Sequence, residues 1–232
     1  MNYFPINLKI SGRRCVVIGG GKVAARKVKG LLECGGQVVV ISPELTDELE
    51  TLVREGLIGC KKKNYLKGDL DGAFLVIAAT DDENAQAEVY NEAEEKGILV
   101  NVADVPERCN FILPATVSRN ELAVSVSTGG KSPALARLLR KKLEKEIGPE
   151  YGVLADILGL LRPVVLSRGQ AHESNRDVFN DILHDNFPIW IKNGNWDLIR
   201  DHLENVLGDV IDQECLNRIK NMIECSGCAK SN

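Results

Sequence analysis

The first half of the chain alternates between short apolar runs and longer amphipathic stretches. The runs are rich in β-branched residues, as buried strands are, and the stretches have the periodicity of helices. The runs are residues 15–18, 37–41, 74–79 and 98–102, and the stretches are residues 22–34, 44–55 and 82–96. This alternation predicts right-handed βαβ units on a parallel sheet, with Gly35-Gly36 ending the first helix and a further short strand near residues 57–61.

A Rossmann-like α/β domain is therefore expected at residues 1–114, and the pattern changes after it. Residues 122–127 alternate like a half-buried strand. Ser132 as N-cap and Pro133 at the first helical position then predict a helix that ends at Ile147. We expect one face of this helix to be apolar and the other to be basic. The apolar residues are Leu135, Leu138, Leu139 and Leu143, and the basic residues are Arg137, Arg140, Lys141 and Lys142.

The rest of the chain, from Pro149 onward, is predicted to be helical, with a break near residues 168–170. The expected fold is thus a Rossmann-like parallel-sheet α/β domain, a small α+β region at residues 115–148 and a C-terminal helical domain at residues 149–224. The tail at residues 225–232 is expected to be disordered.

The first predicted strand leads directly into three glycines and then into a helical pattern. Gly19, Gly21 and Ala24 fit the G-x-G-x-x-A fingerprint of dinucleotide-binding domains. In that fingerprint the first glycine allows a tight turn, the second lets a pyrophosphate approach the backbone, and the small third residue lets the helix pack closely. The N–H groups at the helix start then face the phosphates. The alternative interpretation is a glycine-rich turn that binds nothing.

The second predicted strand ends in Ser42-Pro43-Glu44, where NAD enzymes usually carry an acid that binds the ribose. Ser42 stands in place of that acid. Glu44 could reach a ribose hydroxyl, or it could simply lie in the first turn of the next helix. Because no Arg follows the strand to neutralise a 2′-phosphate, we expect NAD rather than NADP.

The carboxyl ends of the next two strands also carry polar residues, and ligands of open α/β sheets bind at these ends. Thr80 and Asp81 are placed to contact the adenosine or nicotinamide half of a cofactor, although either could instead cap the following helix. Asp104 follows the last strand and is a candidate general base. Its alternative role is that of a turn residue before Pro106.

Composition excludes several other functions. The net charge of −4 gives no general case for nucleic-acid binding, and no apolar run is long enough to span a bilayer. The N-terminus lacks the features of a signal peptide, so we expect a soluble, cytoplasmic protein. The spacing of the three histidines predicts surface residues and no metal site.

The seven cysteines are scattered, which argues against a disulfide framework. Cys225 and Cys228 form the single C-x-x-C, which we interpret as a thiol pair without function. Metal binding or a redox pair is the alternative.

Together these segments resemble the precorrin-2 dehydrogenase/sirohydrochlorin ferrochelatase family, which also forms the N-terminal module of sirohaem synthase. The resemblance covers about residues 1–150 closely and the C-terminal helices loosely, and its motifs occur in the family's order and spacing. The segments that carry it are Tyr3-Phe4-Pro5-Ile6 and residues 17–24, 78–82, 101–104, 109–114, 127–133 and 136–140.

The resemblance implies an NAD-dependent oxidation of precorrin-2 to sirohydrochlorin. It also raises the expectation of Fe²⁺ insertion, with iron as a transient substrate, to give sirohaem. Asp104 matches the catalytic aspartate of the family. Lys22 and Val23 match cofactor-binding positions after the glycines, and Pro43 and Glu44 match positions near the adenosine. Family members are homodimers built through the middle region, so residues 115–148 are expected to form the dimer.

A tetrapyrrole that carries many carboxylates needs a locally basic surface. We therefore assign substrate binding to Lys131, Arg137 and Arg140, together with Thr128, which falls where relatives can carry a Ser. These basic residues could instead form an ordinary solvated helix face. The alternative for the whole chain is a regulatory module that senses NAD(H) without turnover.

Overall fold

The computed structural model describes residues 3–167 and 172–225. The chain forms two compact units. The sheet unit runs to Leu113 and includes Gly129–Lys131, and the helical unit comprises Pro114–Thr128 and the chain from Ser132 onward. The helical unit thus holds the predicted helical domain and the predicted α+β region except Gly129–Lys131, and the separation of these two regions as domains stays a prediction.

The sheet unit is built on five parallel strands in the order β3-β2-β1-β4-β5. The strands are β1 (Arg14–Ile18), β2 (Gln37–Ile41), β3 (Gly59–Lys61), β4 (Leu75–Ala78) and β5 (Leu99–Val102). Ile18 at the end of β1 pairs with Ile41 on one side and with Ala78 on the other. The strand order therefore reverses beside β1, and the predicted Rossmann-like parallel sheet is confirmed.

Helices cover both faces of this sheet, which explains why its central strands are apolar throughout. The helices are α1 (Lys22–Glu33), α2 (Asp47–Arg54) and α3 (Glu83–Lys96). Val17 packs into the cluster that contains α1 and α2 residues, and its neighbour Val16 packs into the cluster that contains α3 residues. Both valines have no exposed surface.

The end of α1 agrees with the sequence prediction, whereas the start of α2 does not. After α1, Gly35 adopts φ 72° and its N–H donates to Leu32 O, as expected of the glycine that ends a helix. The prediction that the second helix begins at residue 44 was wrong, because α2 begins at Asp47 with Thr46 as its N-cap. The intervening residues form a loop in which the Thr46 N–H donates to Gly20 O at 3.0 Å.

The helical unit begins with an antiparallel hairpin of β6 (Ala115–Arg119) and β7 (Leu122–Val126). The sequence predicted β7 but missed β6. The turn between them places Asn120 at φ 51°, in the left-handed region that Asn tolerates.

Helix α4 (Pro133–Glu146) follows with the predicted start. The Ser132 side chain accepts from the Leu135 N–H at 3.2 Å, and Pro133 occupies the first turn. The sequence predicted an apolar face and a basic face on this helix, and three of the four leucines of the apolar face are exposed in this single chain. Leu135, Leu138 and Leu139 are 46%, 52% and 38% exposed and form what we call the leucine face. Ala136 is the buried residue of α4, and Arg140, one turn later, is only half-buried.

The described residues after α4 are mostly α-helical, as predicted. The helices are α5 (Pro149–Leu166), α6 (His172–Ile182), α7 (Phe187–Asn193), α8 (Trp196–Leu207) and α9 (Gln213–Cys225). The aliphatic core of the helical unit includes Ile157, Leu161, Ile199 and Leu203, all with no exposed surface. The predicted break at residues 168–170 and the tail after Cys225 lie outside the described residues. Within the described ranges, no helix combines the length and the apolar character needed to cross a membrane.

Candidate functional site

The glycine turn after β1 is fixed by two close approaches of backbone to backbone. Gly19 has φ 109°, and a Cβ there would clash with the carbonyl of Ala79 at the end of β4. A Cβ on Gly20 would clash with the carbonyl of Glu44 in the β2–α2 loop. These two glycines are therefore required by the fold itself.

Gly21 differs from its two neighbours. It is the N-cap of α1 with an extended backbone (φ −81°, ψ −175°), and a Cβ there would meet nothing within 4 Å. Because glycine has no side chain, no side chain of the N-cap residue caps the first N–H groups of α1, at Lys22 and Val23. Ala24, with no exposed surface, lets α1 pack against the sheet. The open space over uncapped helical amides fits a pyrophosphate group.

The loop after β2 holds the two residues assigned to the adenosine. Its shape depends on Ser42, which is buried and donates its hydroxyl proton to Glu44 O at 2.7 Å. The alternative that Glu44 lies in the first turn of α2 was wrong, since α2 begins three residues later. Pro43 and Glu44 are both exposed at the carboxyl edge of the sheet.

The residue that caps the helix after β4 is not one of the two that the sequence suggested. Asp82 caps α3, accepting from the N–H groups of Asn84 at 2.9 Å and Ala85 at 3.2 Å. The capping alternative for Thr80 and Asp81 was therefore wrong. Thr80 Oγ1 accepts from the Asp82 N–H at 3.3 Å.

Asp104 and the residues after β4 line one cavity of about 240 Å³ at the carboxyl edge of the sheet. Its wall combines the start of α1, the β4–α3 loop and the turn after β5. The lining residues are Val23, Ala79, Thr80, Asp81, Glu83, Gln86, Ala103, Asp104 and Val105. The structure thus brings together four of the predicted site residues: Val23, Thr80, Asp81 and Asp104.

Asp104 lies on a turn with a special backbone conformation. Its φ is 62°, in the left-handed region, and its side chain is exposed. Ala103 ties the turn to β4 by donating to Ala78 O at 2.9 Å. Asp104 is thus a turn residue, as the alternative predicted, and it also lines the cavity, while its role as a general base stays a prediction.

The sequence analysis did not identify Cys109 as a site residue, although its sulfur contacts the turn that carries Asp104. Its sulfur accepts from the Val102 N–H at 3.2 Å, and it lies 3.3 Å from Val105 O. Burial raises the pKa of the thiol, while the Val102 hydrogen bond and Lys27 act in the opposite direction. No motif or spacing pattern marks Cys109 as a support of this turn, so the sequence gives no signal for its contacts with Val102 and Val105.

The predicted substrate-binding residues fall in both units. Thr128 Oγ1 accepts from the Ser132 N–H at 3.0 Å at the start of α4. Arg137 is exposed, whereas Arg140 pairs with Glu144 at 2.9 Å. Lys131 belongs to the sheet unit and is exposed. Their role in substrate binding stays a prediction.

The remaining polar candidates are the histidines and the cysteines. Residues 3–167 and 172–225 contain no group of three or more His, Cys, Asp or Glu residues that could hold a metal ion. His202 was predicted at the surface, but it is half-buried and its ring packs edge-on to Trp190 with centroids 5.6 Å apart. The six described cysteines are free, and Cys228 lies outside the described residues.

A parallel sheet with an open glycine turn beside the reversal of its strand order defines the class of the sheet unit. It is a dinucleotide-binding α/β domain. Consistent with this, residues 6–115 match the family model described as "Putative NAD(P)-binding". Residues 119–146 match the one described as "Sirohaem biosynthesis protein central".

Curated relatives give the particular resemblance. The siroheme synthase of Nitrosococcus oceani is 42% identical over 183 residues, which cover 79% of this chain and 39% of the relative. That of Azotobacter vinelandii is 44% identical over 165 residues, 71% of this chain and 36% of the relative. The chain spans about two fifths of the length of the curated relatives it matches. The resemblance predicted from the sequence, to the family that also forms a module of sirohaem synthase, is confirmed.

One solved structure shows the same fold over nearly its whole length. It is named "SirC, precorrin-2 dehydrogenase" and matches with a TM-score of 0.73 at 24% identity. The match covers 88% of this chain and 98% of that protein. The arrangement of a Rossmann-like unit followed by a helical region is therefore confirmed at the level of the fold.

Proposed function

We propose that this chain catalyses the NAD⁺-dependent oxidation of precorrin-2 to sirohydrochlorin. The observation that carries the proposal is the cavity in which Asp104 lies with Thr80 and Asp81, next to Val23 at the start of α1. A carboxylate within reach of a dinucleotide site is what the removal of a hydride and a proton from one substrate requires.

The glycine turn and the β2–α2 loop are assigned to the cofactor. Gly19 shapes the turn, Gly21 leaves space for the pyrophosphate, and the amides of Lys22 and Val23 donate to it. Pro43 and Glu44 lie where the adenosine half is expected, and Thr80 and Asp81 line the cavity. When bound, NAD⁺ supplies the hydride acceptor.

Asp104 is assigned to the proton. The oxidation takes one hydride, with its two electrons, and one proton from precorrin-2. The Asp104 carboxylate accepts the proton and later releases it to water. Asp104 lies on a turn with a left-handed backbone, with φ 62°, and it lines the cavity.

Substrate recognition is assigned to basic residues and to Thr128. Precorrin-2 carries many carboxylates, and the acids Asp81 and Glu83 in the cavity wall would repel them. Lys131, Arg137 and Arg140 supply the opposite charge under this proposal. Fe²⁺ is proposed as a second substrate, inserted into sirohydrochlorin while Asp104 accepts pyrrole protons.

The chain is also proposed to act as a homodimer formed through α4. The leucine face exposes three large apolar side chains on one helix, which is costly in water unless a partner covers them. Sedimentation of Leu138→Glu tests this. We expect the variant to be monomeric at concentrations where the wild type is dimeric, and a wild type that stays monomeric contradicts the proposal.

The test of the catalytic proposal is Asp104→Ala, with Asp104→Asn as the variant of matched size. Both should bind NAD⁺ like the wild type and lose oxidation by roughly 10²-fold or more. Visible absorption follows oxidation of the tetrapyrrole, and a second assay follows Co²⁺ or Fe²⁺ insertion into supplied sirohydrochlorin. Loss of both activities supports one shared site, and loss of oxidation alone removes insertion from this site. Near-normal oxidation by a dimeric Asp104→Ala protein contradicts the assignment.

The alternative function, NAD(H) sensing without turnover, makes an opposite prediction. A sensor binds the dinucleotide but leaves the absorption spectrum of precorrin-2 unchanged. An anaerobic mixture of wild-type protein, precorrin-2 and NAD⁺ therefore separates the two functions in one measurement.

A further inference from the structure

Gln86 is a buried polar residue of α3 that reaches the candidate cavity. Five polar or charged side chains of the described residues are buried: Ser42, Asp69, Gln86, Glu92 and Glu150. Of these five, Gln86 is the one that lines the cavity of about 240 Å³ containing Asp104. Only 8% of its surface is exposed. Because the burial of an amide is unfavourable unless its polar groups are hydrogen-bonded, both ends of this side chain need partners.

The nitrogen end of the Gln86 amide has its partner. Nε2 donates to the backbone carbonyl oxygen of Thr80 at 2.7 Å. A carbonyl oxygen can only accept a hydrogen bond, so this contact requires the nitrogen at that end of the amide and fixes which end carries the oxygen. The contact therefore ties α3 to the β4–α3 loop and leaves the acceptor Oε1 at the other end.

The oxygen end of the amide has no such partner in the part of the chain that the structure describes. Within residues 3–167 and 172–225, no N–H or O–H group donates to Gln86 Oε1. Oε1 is also not one of the fully buried side-chain atoms that lack a partner, so it retains exposed surface. Because Gln86 lines the cavity, a ligand in the cavity can supply the missing donor.

The place of the cavity in the sheet indicates which half of a dinucleotide enters it. Strand β2 lies on one side of β1, and β4 and β5 lie on the other. A dinucleotide crosses such a sheet where the strand order reverses, with its pyrophosphate at the turn after the first strand. The adenosine half is assigned to the β2–α2 loop, so the nicotinamide half belongs beside β4 and β5, where Gln86 and Asp104 line the same cavity.

We propose that Gln86 is a specificity-determining residue whose Oε1 accepts a hydrogen bond from the carboxamide N–H of the nicotinamide. The inference rests on the proposed function, which places the hydride-accepting ring beside Asp104. The Thr80 contact holds the amide so that its oxygen is the end offered to the ligand. A buried acceptor of this kind favours a ring that carries N–H groups over a ring of the same shape without them.

The experiment compares wild type, Gln86→Met and the control Gln37→Met. Gln86→Met keeps the length of the side chain and removes both polar groups of the amide. Gln37 is exposed at the first position of β2, whereas the cavity lies at the carboxyl edge of the sheet. Gln37→Met therefore makes the same exchange away from the ligand. If Gln86→Met does not fold, Gln86→Leu takes its place in the same comparison.

The measurement is calorimetric titration, without turnover, of three dinucleotides that differ only in the group on the pyridine ring. NAD⁺ has a carboxamide, the thionicotinamide analogue keeps its N–H groups but replaces oxygen by sulfur, and the 3-acetylpyridine analogue replaces the NH₂ by a methyl group. We expect wild type and Gln37→Met to bind the first two roughly 3- to 10-fold more tightly than the third, because one neutral hydrogen bond is lost. Gln86→Met should bind all three with equal affinity.

The outcomes separate this contact from a structural role. If Gln86 only ties the β4–α3 loop, Gln86→Met weakens all three dinucleotides by the same factor and keeps their ratios, and that result overturns the proposal. A wild type that does not distinguish NAD⁺ from the 3-acetylpyridine analogue also overturns it.

The outcomes also separate this contact from the proposed function. Discrimination by the wild type that is lost in Gln86→Met supports the contact even if precorrin-2 is not oxidised, in which case the proposed function fails alone. A wild type that binds none of the three dinucleotides overturns the cofactor assignment and this contact together.

Discussion

The sheet unit and the helical unit differ in what their residues are required to do. In the sheet unit, Gly19 and Gly20 are fixed because a backbone carbonyl occupies the place of a side chain. In the helical unit, core residues such as Leu161 and Leu203 are fixed by volume and apolarity. A position that accepts only glycine can be recognised directly in the sequence. A position that needs an aliphatic side chain is indicated only by the periodicity of apolar residues. The candidate cofactor-binding and catalytic residues could therefore be located in the first unit, whereas in the second unit the sequence offered only the substrate-binding candidates Thr128, Arg137 and Arg140.

The largest expected effects concern two adjacent glycines. Gly21→Asp should keep the fold, because a Cβ there meets nothing, but should weaken NAD⁺ binding by at least about 10²-fold by placing a carboxylate against the pyrophosphate. Gly20→Ala should instead destabilise the protein by more than about 3 kcal/mol, because its Cβ clashes with Glu44 O. Calorimetric NAD⁺ titration and thermal unfolding check both. Wild-type NAD⁺ affinity in folded Gly21→Asp would remove the cofactor assignment.

The next prediction concerns the loss of buried side-chain volume in the helical unit. Leu161→Ala should cost about 2–5 kcal/mol of unfolding free energy, since Leu161 has no exposed surface. Leu138→Ala, on the leucine face, should cost less than about 0.5 kcal/mol in the monomer. Both tryptophans, Trp190 and Trp196, lie in this unit, so urea unfolding followed by their fluorescence reports on it alone. Equal costs for the two leucines, measured at concentrations where the protein is monomeric, would show that α4 is covered within its own chain.

A smaller effect concerns a buried carboxylate in the sheet unit. Burial would raise the pKa of Asp69, but hydrogen bonds from Lys63, Lys61 and the Leu66 N–H outweigh it and lower the pKa to about 2. A depressed folded-state pKa contributes stability above the unfolded value, and this stability is lost as pH falls from about 4 to about 2. Asp69→Asn should therefore cost about 2 kcal/mol at pH 7 and progressively less across that window.

The control for Asp69 is Asp71→Asn, measured by the same unfolding experiment. Asp71 is 77% exposed and pairs with Lys96 at the surface. Surface ion pairs contribute little, so we expect a change below about 1 kcal/mol. If the two variants cost the same at pH 7, the stabilising role of the buried carboxylate is wrong.

The smallest expected effect concerns cofactor choice at the β2–α2 loop. No cation follows β2, so kcat/KM should favour NAD⁺ over NADP⁺ by about tenfold, or about 1.4 kcal/mol. Steady-state kinetics with each cofactor check this. A preference for NADP⁺ would show that the loop around Ser42 and Glu44 has been misassigned.

The strands of the sheet unit could be predicted because helices cover both faces and leave uninterrupted apolar runs. Strand β6 was missed, since its pairing with β7 depends on a turn at Asn120 that no strong local signal marks. The leucines of α4 were assigned correctly to one face. Periodicity tells which residues share a face, but not whether that face meets its own chain, and the structure leaves Leu138 exposed.

The candidate site was predictable where a strand end identifies it and not where the fold assembles it. Gly21, Thr80 and Asp104 each follow a strand, so the parallel sheet alone places them at one edge. Cys109 contacts the turn that carries Asp104 from a loop after β5, through Val102 and Val105. No motif marks this role, because it depends on how the chain folds after the strand has ended.

The three glycines of the turn have different roles, and this difference has a consequence for how related sequences diverge. Gly19 and Gly20 are required by the packing of the sheet unit, whereas Gly21 is required, under the proposed function, by the bound dinucleotide. A descendant that lost its dinucleotide would still have to keep the first two glycines in order to fold, but could replace the third. In a set of diverged copies, the residue at position 21 would therefore record whether the cofactor is still in use, and the two glycines before it would not.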